Sequence, residues 1–379
     1  MSPIRIGIIG CGAVSKAHAE AYKRLGRESC EVVAVADPNP ENASKLAASF
    51  DRPPAAYADA AELLARADID GVSICTPPAL HRAQAIAAFE AGKHVLCEKP
   101  LAPSVAECEE MLLAAEKHGR KLAVAMQYRY RQDFLAIKHL VDAGALGAPV
   151  FALVNALYWR GDAYYRNHGT SWAKEGGGVV MTQAIHPIDV LTMMLGDVAE
   201  VAAELDTLAH DIEVEDTASI RLRFRRGAVA NVFATTNAAA PGIGFTVAGA
   251  SRAVSLPLKF DAVAPSEHGF PIAQPDDARR LEEAARTFLE APSPIPMQAD
   301  DGHDGPVADF VASIRDGREP WMSGRKARDT IELTAAIYKA GVTGERVALP
   351  LRADDPWRTT AGFLQGVQAY KGKGGKATP

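Results

Sequence analysis

Ile4-Arg-Ile-Gly7-Ile-Ile-Gly10-Cys-Gly12-Ala-Val-Ser15 sets an apolar, β-branched run directly against glycines, and a helical pattern of Val14, Ala17, Ala21 and Leu25 begins where the glycines end. Strand, tight turn and helix in that order form the opening of a dinucleotide-binding crossover. Gly10 permits the turn, Gly12 lets the backbone approach a pyrophosphate, and the phosphate charge then rests on the helix N-terminus, where Ala13 and Val14 lie. The third fingerprint position holds Ser15, small but not glycine. The second apolar run ends at Asp37, 25 residues beyond Gly12. A carboxylate there accepts both hydrogen bonds of an adenosine ribose diol and repels a 2′-phosphate, so NAD is expected rather than NADP. The plainer reading is that Asp37 opens the Asp37-Pro-Asn-Pro turn.

Outward from that stretch the rhythm repeats. Short apolar runs at 4–9, 32–36, 71–75, 94–97 and 122–126 alternate with helical patterns through about residue 126, which is the order of a doubly wound parallel sheet with crossover helices. Asn39-Pro40 pairs a capping residue with an N1 proline, Ser104-Val-Ala-Glu107 is a capping box, and Gly92 stands where a helix C-cap is wanted. The pattern then changes to a helix at 133–143, a strand at 150–158, a long irregular loop, a helix around 186–195, and β-rich runs at 198–207, 218–225, 228–236 and 245–248. The expectation is an α/β chain: a doubly wound domain over 1–126, then an α+β domain with a large, mostly antiparallel open sheet over 127–370. Residues 257–305, rich in Pro, Ala and Asp, read as a surface excursion with one helical piece at 277–289. Helices return at 307–316 and 327–340, and the Gly- and Lys-rich 371–379 reads as a solvated, disordered tail.

The 379 residues are 48% apolar and 23% charged, an ordinary globular composition that excludes collagen, coiled coil and wholesale disorder. Forty-one basic against 47 acidic residues give a net charge of −6, which argues against a general nucleic-acid or anionic-membrane binder. Cys11, Cys30, Cys75, Cys97 and Cys108 are odd in number and form no C-x-x-C pair, so a reduced, cytoplasmic setting is expected. The start of the chain has neither the charged nor the cleavable apolar region of a signal peptide. The long uncharged stretch between Arg226 and Arg252 is broken by Asn237, Pro241, Gly242, Gly244 and Gly249, so no membrane span is expected.

Two further segments lie at strand ends: Cys75-Thr76-Pro77-Pro78-Ala79-Leu80-His81 and Cys97-Glu98-Lys99-Pro100-Leu101. Both fall on the edge where doubly wound sheets bind ligands. Together with the glycine turn, the later Gly176-Gly-Gly178-Val-Val-Met-Thr182-Gln183-Ala-Ile-His186-Pro-Ile-Asp189 and the closing Ala336-Ile-Tyr-Lys-Ala and Val347-Ala-Leu-Pro350, the chain resembles the glucose-fructose oxidoreductase, inositol dehydrogenase and rhizopine-catabolism (Gfo/Idh/MocA) family. The resemblance implies an N-terminal Rossmann domain. It also implies a C-terminal domain whose open sheet makes a homodimer or homotetramer, and NAD-dependent oxidation or reduction of sugars, sugar acids or cyclitols. By motif, Thr76, Pro77, His81, Glu98, Lys99 and Gln127 join Gly10, Gly12, Ala13, Val14 and Asp37 around the cofactor. Pro100 follows a cis peptide, and Gln127 with Arg129 lies near the nicotinamide.

Lys99, His186 and Asp189 are the candidate acid/base groups. A lysine desolvated at the sheet's ligand edge has its pKa lowered toward the range useful for proton transfer. Thr182, His186 and Asp189 stand at i, i+4 and i+7, on one face if helical. Where many relatives carry Asp, this chain has Thr182, so a carboxylate partner for His186 either comes from elsewhere, Asp189 being one candidate, or is absent. Lys99, Arg129, Tyr158, Arg160, Trp172, Thr182, Gln183 and His186 are the candidate substrate contacts, since rings stack on sugar faces while polar groups meet hydroxyls. The same residues could fill a domain interface, and His186 could be a packed helix histidine. No metal is expected, because no second histidine or carboxylate cluster has ligand spacing around His186. A redox-neutral glycosidase working through a transient keto sugar, or a nucleotide-sensing regulator, would share these motifs.

Overall fold

The computed structural model describes residues 2–370 except 169, 294 and 301; the expected tail at 371–379 lies outside the described residues. The chain forms two compact units, Met1–Arg131 with Pro294–Ile331, and Gln132–Ser293 with Glu332–Pro379.

In the first unit, β1 (Ile4–Ile9), β2 (Cys30–Ala36), β3 (Ala55–Tyr57), β4 (Gly71–Ile74), β5 (His94–Cys97) and β6 (Leu122–Val124) form a sheet of order β3-β2-β1-β4-β5-β6. Every pairing in it is parallel. The helices α1 (Ala13–Leu25), α2 (Pro40–Ala47), α3 (Ala60–Leu64), α4 (Pro78–Glu90) and α5 (Val105–Lys117) cross between the strands. The order reverses between β1 and β4, so the crevice beyond their carboxyl ends is the expected ligand edge. The Asn39 and Ser104 side chains cap α2 and α5 as their sequences require, accepting from the Glu41 and Glu107 backbone N–H groups. The short β3 and α3 carry too little periodicity to announce themselves in the sequence.

A contiguous first domain ending at 126 differs from what the structure shows, because Pro294–Ile331 returns to this unit. The apolar stripe of the helix Asp304–Asp316 is the reason: Val307, Phe310 and Val311 join Ile6, Ile8 and Leu96 in one buried cluster. The Val124 backbone N–H donates to Met322 O at 3.0 Å, so the same segment also borders β6.

In the second unit, β7 (Phe151–Trp159), β8 (Val198–Asp206), β9 (Thr217–Phe224), β10 (Val229–Thr235), β11 (Asn237–Ala248), β12 (Arg252–Leu256), β13 (Lys259–Pro265), β14 (Pro271–Ala273) and β15 (Val347–Ala348) make a nine-stranded sheet. All its pairings are antiparallel except β7 with β10. Burial alternates along β7, with Ala152, Val154 and Ala156 inward and Phe151 and Leu153 exposed, so one face is covered and the other open. In the segment 257–305 the helical piece expected at 277–289 is present as the helix Pro275–Glu290, and the irregular remainder is corrected by β13 and β14. β13 alternates Lys259, Asp261 and Val263 outward with Ala262 inward, and so short a polar-apolar alternation is hidden by the prolines around it. Among the described residues one helical stretch, Trp172–Leu195, is long and apolar enough to cross a membrane by length and composition, and 83% of its most apolar window is buried inside the protein.

Candidate active site

At the carboxyl end of β1 the two fingerprint glycines do different work. Gly10 has φ +88°, and a Cβ there would stand 2.8 Å from Cys75 O, so no side chain fits. A Cβ on Gly12 would meet nothing within 4 Å; Gly12 and Ala13 are exposed and Val14 half-buried. Gly12 is the N-cap of α1 without a side-chain cap, and the first turn holds no acidic residue. Free backbone donors beside open space fit a pyrophosphate. Ser15 Oγ turns inward to Gly12 O at 2.7 Å.

The Asp37 carboxylate accepts from the Cys11 and Asn39 backbone N–H groups, both at 2.8 Å. It therefore ties the glycine turn to the end of β2; its Oδ1 also accepts from Asn42 Nδ2 at 3.4 Å, and its Oδ2 keeps a second lone pair for a ribose hydroxyl. Asp37→Ser is expected to bring the selectivity for NAD over NADP close to parity. Unchanged selectivity in paired titrations would remove Asp37 from the ribose site.

His81, expected beside the cofactor, sits between two backbone carbonyls. It is fully buried, with its ring nitrogens 2.8 Å from Thr76 O and 2.9 Å from Pro100 O, so it straps the two strand-end loops together. Burial lowers its pKa against those two carbonyls. Thr76 Oγ1 donates to Gln84 Oε1 at 2.5 Å, and Pro77, exposed, caps α4.

The Lys99–Pro100 peptide is cis, as expected, and Lys99 is half-buried just past β5. Glu98 is buried among its hydrogen-bond donors. Its Oε1 accepts from His18 Nε2 at 2.8 Å and His303 Nε2 at 2.9 Å, and its Oε2 accepts from the Lys99 backbone N–H at 3.0 Å. Burial alone would raise this carboxyl; the two histidine donors outweigh it and hold the group well below the usual carboxylate range. The three side chains' ligand atoms lie within 4.8 Å of one another, a spacing compatible with a metal, but here both nitrogens donate to one oxygen. Sequence reading missed His18 and His303, which no short motif joins to Glu98. Gln127 and Arg129 fall in a single-turn helix, Gln127–Tyr130. The Gln127 carbonyl accepts from Gln298 Nε2 at 3.3 Å, and Arg129 is buried with its carbonyl accepting from the Trp321 indole at 3.3 Å.

The second unit builds its own cluster around the triple glycine. Glu215, fully buried, accepts from the Gly178 and Val180 backbone N–H groups at 3.0 Å each and from the Tyr338 hydroxyl at 2.8 Å. Burial pushes its carboxyl up to about 7 against those donors. Beside this clamp the chain runs as a π-helical turn, Val180–Ala184, into the helix Ile185–Leu195, so the helix expected around 186–195 is present while Thr182 stands in the π turn, out of the regular i, i+4, i+7 spacing with His186 and Asp189. His186 and Asp189 are both buried. The single Thr182 Oγ1 proton is shared between Gly178 O, at 2.6 Å, and Gln183 Oε1, and Gln183 Nε2 donates to the Tyr164 hydroxyl at 3.1 Å. Arg160 lies over the same aromatic wall, its Cζ 5.1 Å from the Tyr164 ring centroid and 5.7 Å from that of Tyr158. Structure thus brings Tyr158, Arg160, Thr182 and Gln183 together. Trp172, expected as a substrate contact, is buried, its N–H groups donate to Glu213 at 2.7 and 2.8 Å, and its ring packs edge-on against Tyr338 and Tyr370.

Residues 4–126 match an oxidoreductase family with an NAD-binding Rossmann fold, and residues 134–254 match the Gfo/Idh/MocA C-terminal domain. An inositol 2-dehydrogenase of Burkholderia ambifaria is 32% identical over 197 residues, 51% of this chain and 55% of that protein. A D-apiose dehydrogenase of Paraburkholderia graminis is 28% identical over 371 residues, 92% of this chain and 91% of that one. The crystal structure of the WlbA dehydrogenase from Bordetella pertussis, in complex with NADH and UDP-GlcNAcA, superposes with a TM-score of 0.79 at 27% identity, covering 93% of this chain and 99% of that one. The match to the inositol dehydrogenase spans about half of that protein's length, and the other two span nearly all of theirs. With both domain matches in chain order over the two units just described, this chain belongs to the Gfo/Idh/MocA family of oxidoreductases and its first domain is an NAD-binding Rossmann fold.

Proposed function

We propose that the chain transfers hydride between a CH–OH group of a sugar, sugar acid or cyclitol and NAD, with Lys99 as the acid/base. The observation that carries this reading is the placement of Lys99: half-buried at the carboxyl end of β5, its backbone fixed by Glu98 Oε2 and the cis proline, in the unit whose Gly12 leaves open space at the start of α1. NAD, when bound, supplies the hydride acceptor at its nicotinamide C4. Gly10, Gly12, Ala13 and the first-turn N–H groups of α1 hold the pyrophosphate, and Asp37 the adenosine ribose. Lys99 removes the carbinol proton in oxidation and returns it in reduction, so the protein's contribution is to position and polarise. His186 and Asp189 are the second unit's candidates for a supporting proton-transfer role.

Arg160 favours a substrate that carries a carboxylate. Its Nη1 donates to Trp159 O at 2.9 Å, while its Nε is buried with no partner among the described residues. A guanidinium held on tyrosine rings with a donor to spare fits a planar anion, and the UDP-GlcNAcA of the Bordetella complex is a ligand of that kind. The deciding experiment follows NADH absorbance with NAD and a panel of sugars, sugar acids, cyclitols and glycosides. Acids are expected to show a KM about tenfold below their neutral counterparts, the worth of one charge-assisted contact, and Arg160→Leu to erase that gap. Free sugar released from a glycoside with no NADH would instead establish the redox-neutral glycosidase; bound NAD with no turnover of any kind would leave the sensor.

The open face of the nine-stranded sheet, with Phe151, Leu153 and Phe233 exposed, is the surface we assign to a second copy, giving a homodimer or homotetramer. A monomer by light scattering at working concentration would remove it. Five free, buried cysteines suit a cytoplasmic enzyme.

A further inference from the structure

We infer that His303 is a positioning residue for Lys99, acting through Glu98; the inference rests on the acid/base reading of Lys99. His303 precedes the helix Asp304–Asp316, in a segment about two hundred residues beyond the Glu-Lys-Pro turn, and folding sets its Nε2 2.9 Å from Glu98 Oε1. His18, from α1, donates to that same oxygen at 2.8 Å, and the two imidazoles lie with centroids 4.8 Å apart and a 44° tilt. Because a carboxylate oxygen only accepts, both histidines must present Nε2–H. That tautomer leaves His18 Nδ1 to accept from Ser73 Oγ at 3.2 Å, and Ser73 Oγ to accept from the Tyr22 hydroxyl at 2.8 Å. The chain of donors therefore runs one way, from Tyr22 through Ser73 and His18 to Glu98, and His303 is the second, independent donor to the same oxygen.

The consequence falls on the other oxygen. With Oε1 saturated by two N–H groups, Oε2 is oriented onto the Lys99 backbone N–H at 3.0 Å, so the carboxylate fixes the main chain from which the Lys99 side chain springs. Removing His303 leaves a fully buried anion with one side-chain donor in place of two, and such an anion protonates or swings. The groups facing Glu98 are His18 on α1, His303, His81 on α4, the thiols of Cys75 and Cys97, and Lys99. Both thiols are pushed up by burial and stay neutral, and burial lowers the pKa of His81 and of His18. Loss of the His303 donor accordingly moves the Glu98 carboxyl upward in pH. His303 Nδ1 is itself buried with no partner among the described residues; a histidine kept for packing alone would be replaceable by an apolar side chain of its size.

The test compares the full chain with His303→Leu, close in volume but without a donor, and His303→Gln, whose amide N–H can reach toward the Nε2 position. In the Leu variant kcat is expected to fall about tenfold, with KM for NAD within twofold and the acid limb of the kcat–pH profile displaced upward; Gln restores most of both. Infrared difference spectra, which need no substrate, are expected to show in His303→Leu a protonated carboxylic acid stretch near neutral pH additional to that of Glu215, whose own carboxyl is pushed up to about 7 and contributes equally to every form; the additional stretch is absent from the unsubstituted chain and from a Glu98→Gln/His303→Leu double variant. A Leu variant with unchanged kcat, unchanged pH profile and no such band overturns the proposal. If no form of the protein, unsubstituted included, reduces NAD with any panel member, the dehydrogenase reading has failed, and the infrared comparison alone decides whether His303 governs Glu98.

Discussion

Replacing Lys99 with Met lowers turnover by roughly 10²–10⁴, the usual contribution of a positioned general base, and leaves NAD affinity nearly unchanged. The two effects separate because the cofactor contacts and the proton transfer rest on different parts of the first unit. The pyrophosphate and ribose are assigned to Gly10, Gly12, the start of α1 and Asp37, none of which depends on the lysine side chain. Methionine keeps the length and apolar stem of lysine, so the cis turn and the Glu98 contact to the residue 99 backbone N–H survive the substitution. NADH production measured beside NAD binding by fluorescence titration checks both halves. Activity near that of the unsubstituted enzyme would remove Lys99 from the chemistry.

The second large effect comes from the triple glycine ahead of the π-helical turn. Gly178→Ala would place a Cβ 1.7 Å from the backbone oxygen of Glu215, and at Gly177, with φ +148°, a Cβ would stand 1.8 Å from the Tyr338 hydroxyl. Neither neighbour can withdraw cheaply. Glu215 O accepts from the Val179 N–H at 3.0 Å, its carboxylate holds Gly178, Val180 and Tyr338, and all of this is buried. Breaking the clamp strands a buried polar cluster on top of the steric cost, so a loss of about 4 kcal/mol or more is expected. At roughly 2–4 °C per kcal/mol for a unit of this size, the melting temperature falls by about 10 °C if the protein remains soluble. Gly12→Ala is the control with the opposite profile. Its Cβ enters open space, so stability holds within about 0.5 kcal/mol, while NAD binding weakens because the methyl occupies the pyrophosphate's approach. Thermal melts and NAD titrations of the two variants distinguish the roles. A stable Gly178→Ala with normal melting would show that the clamp does not exist.

The first unit was largely legible because its determinants are local. Strand, glycine turn and helix follow one another within residues 4–25, Asp37 ends the next strand, and the caps at Asn39 and Ser104 act within three residues of themselves. Each of these is decided by backbone conformation or by a side chain reaching its own turn, and such effects appear in the sequence as spacing. The cis bond before Pro100 followed from motif resemblance, and the structure has it.

What was not legible is long-range. Glu98 reads as a site carboxylate, yet its partners come from α1 and from residue 303, and only the folded sheet brings them onto one oxygen. Trp172 and His81 have the composition of ligand contacts, but buried carbonyls and rings already occupy them. The triple glycine was legible as a family segment, but its necessity lies in the close approach of Glu215 and Tyr338, 37 and 161 residues further along the chain. The return of Pro294–Ile331 was hidden for the same reason: Val307, Phe310 and Val311 show an apolar stripe but not which core it completes.

The sequence by itself determined the doubly wound first unit, its NAD site and the family, because a nucleotide cradle is built from a few consecutive residues whose conformational limits are intrinsic. Only the tertiary structure decided which polar residues are spent holding the fold, because a buried carboxylate or imidazole must be satisfied by whatever donor the packing supplies, and packing partners carry no fixed spacing along the chain.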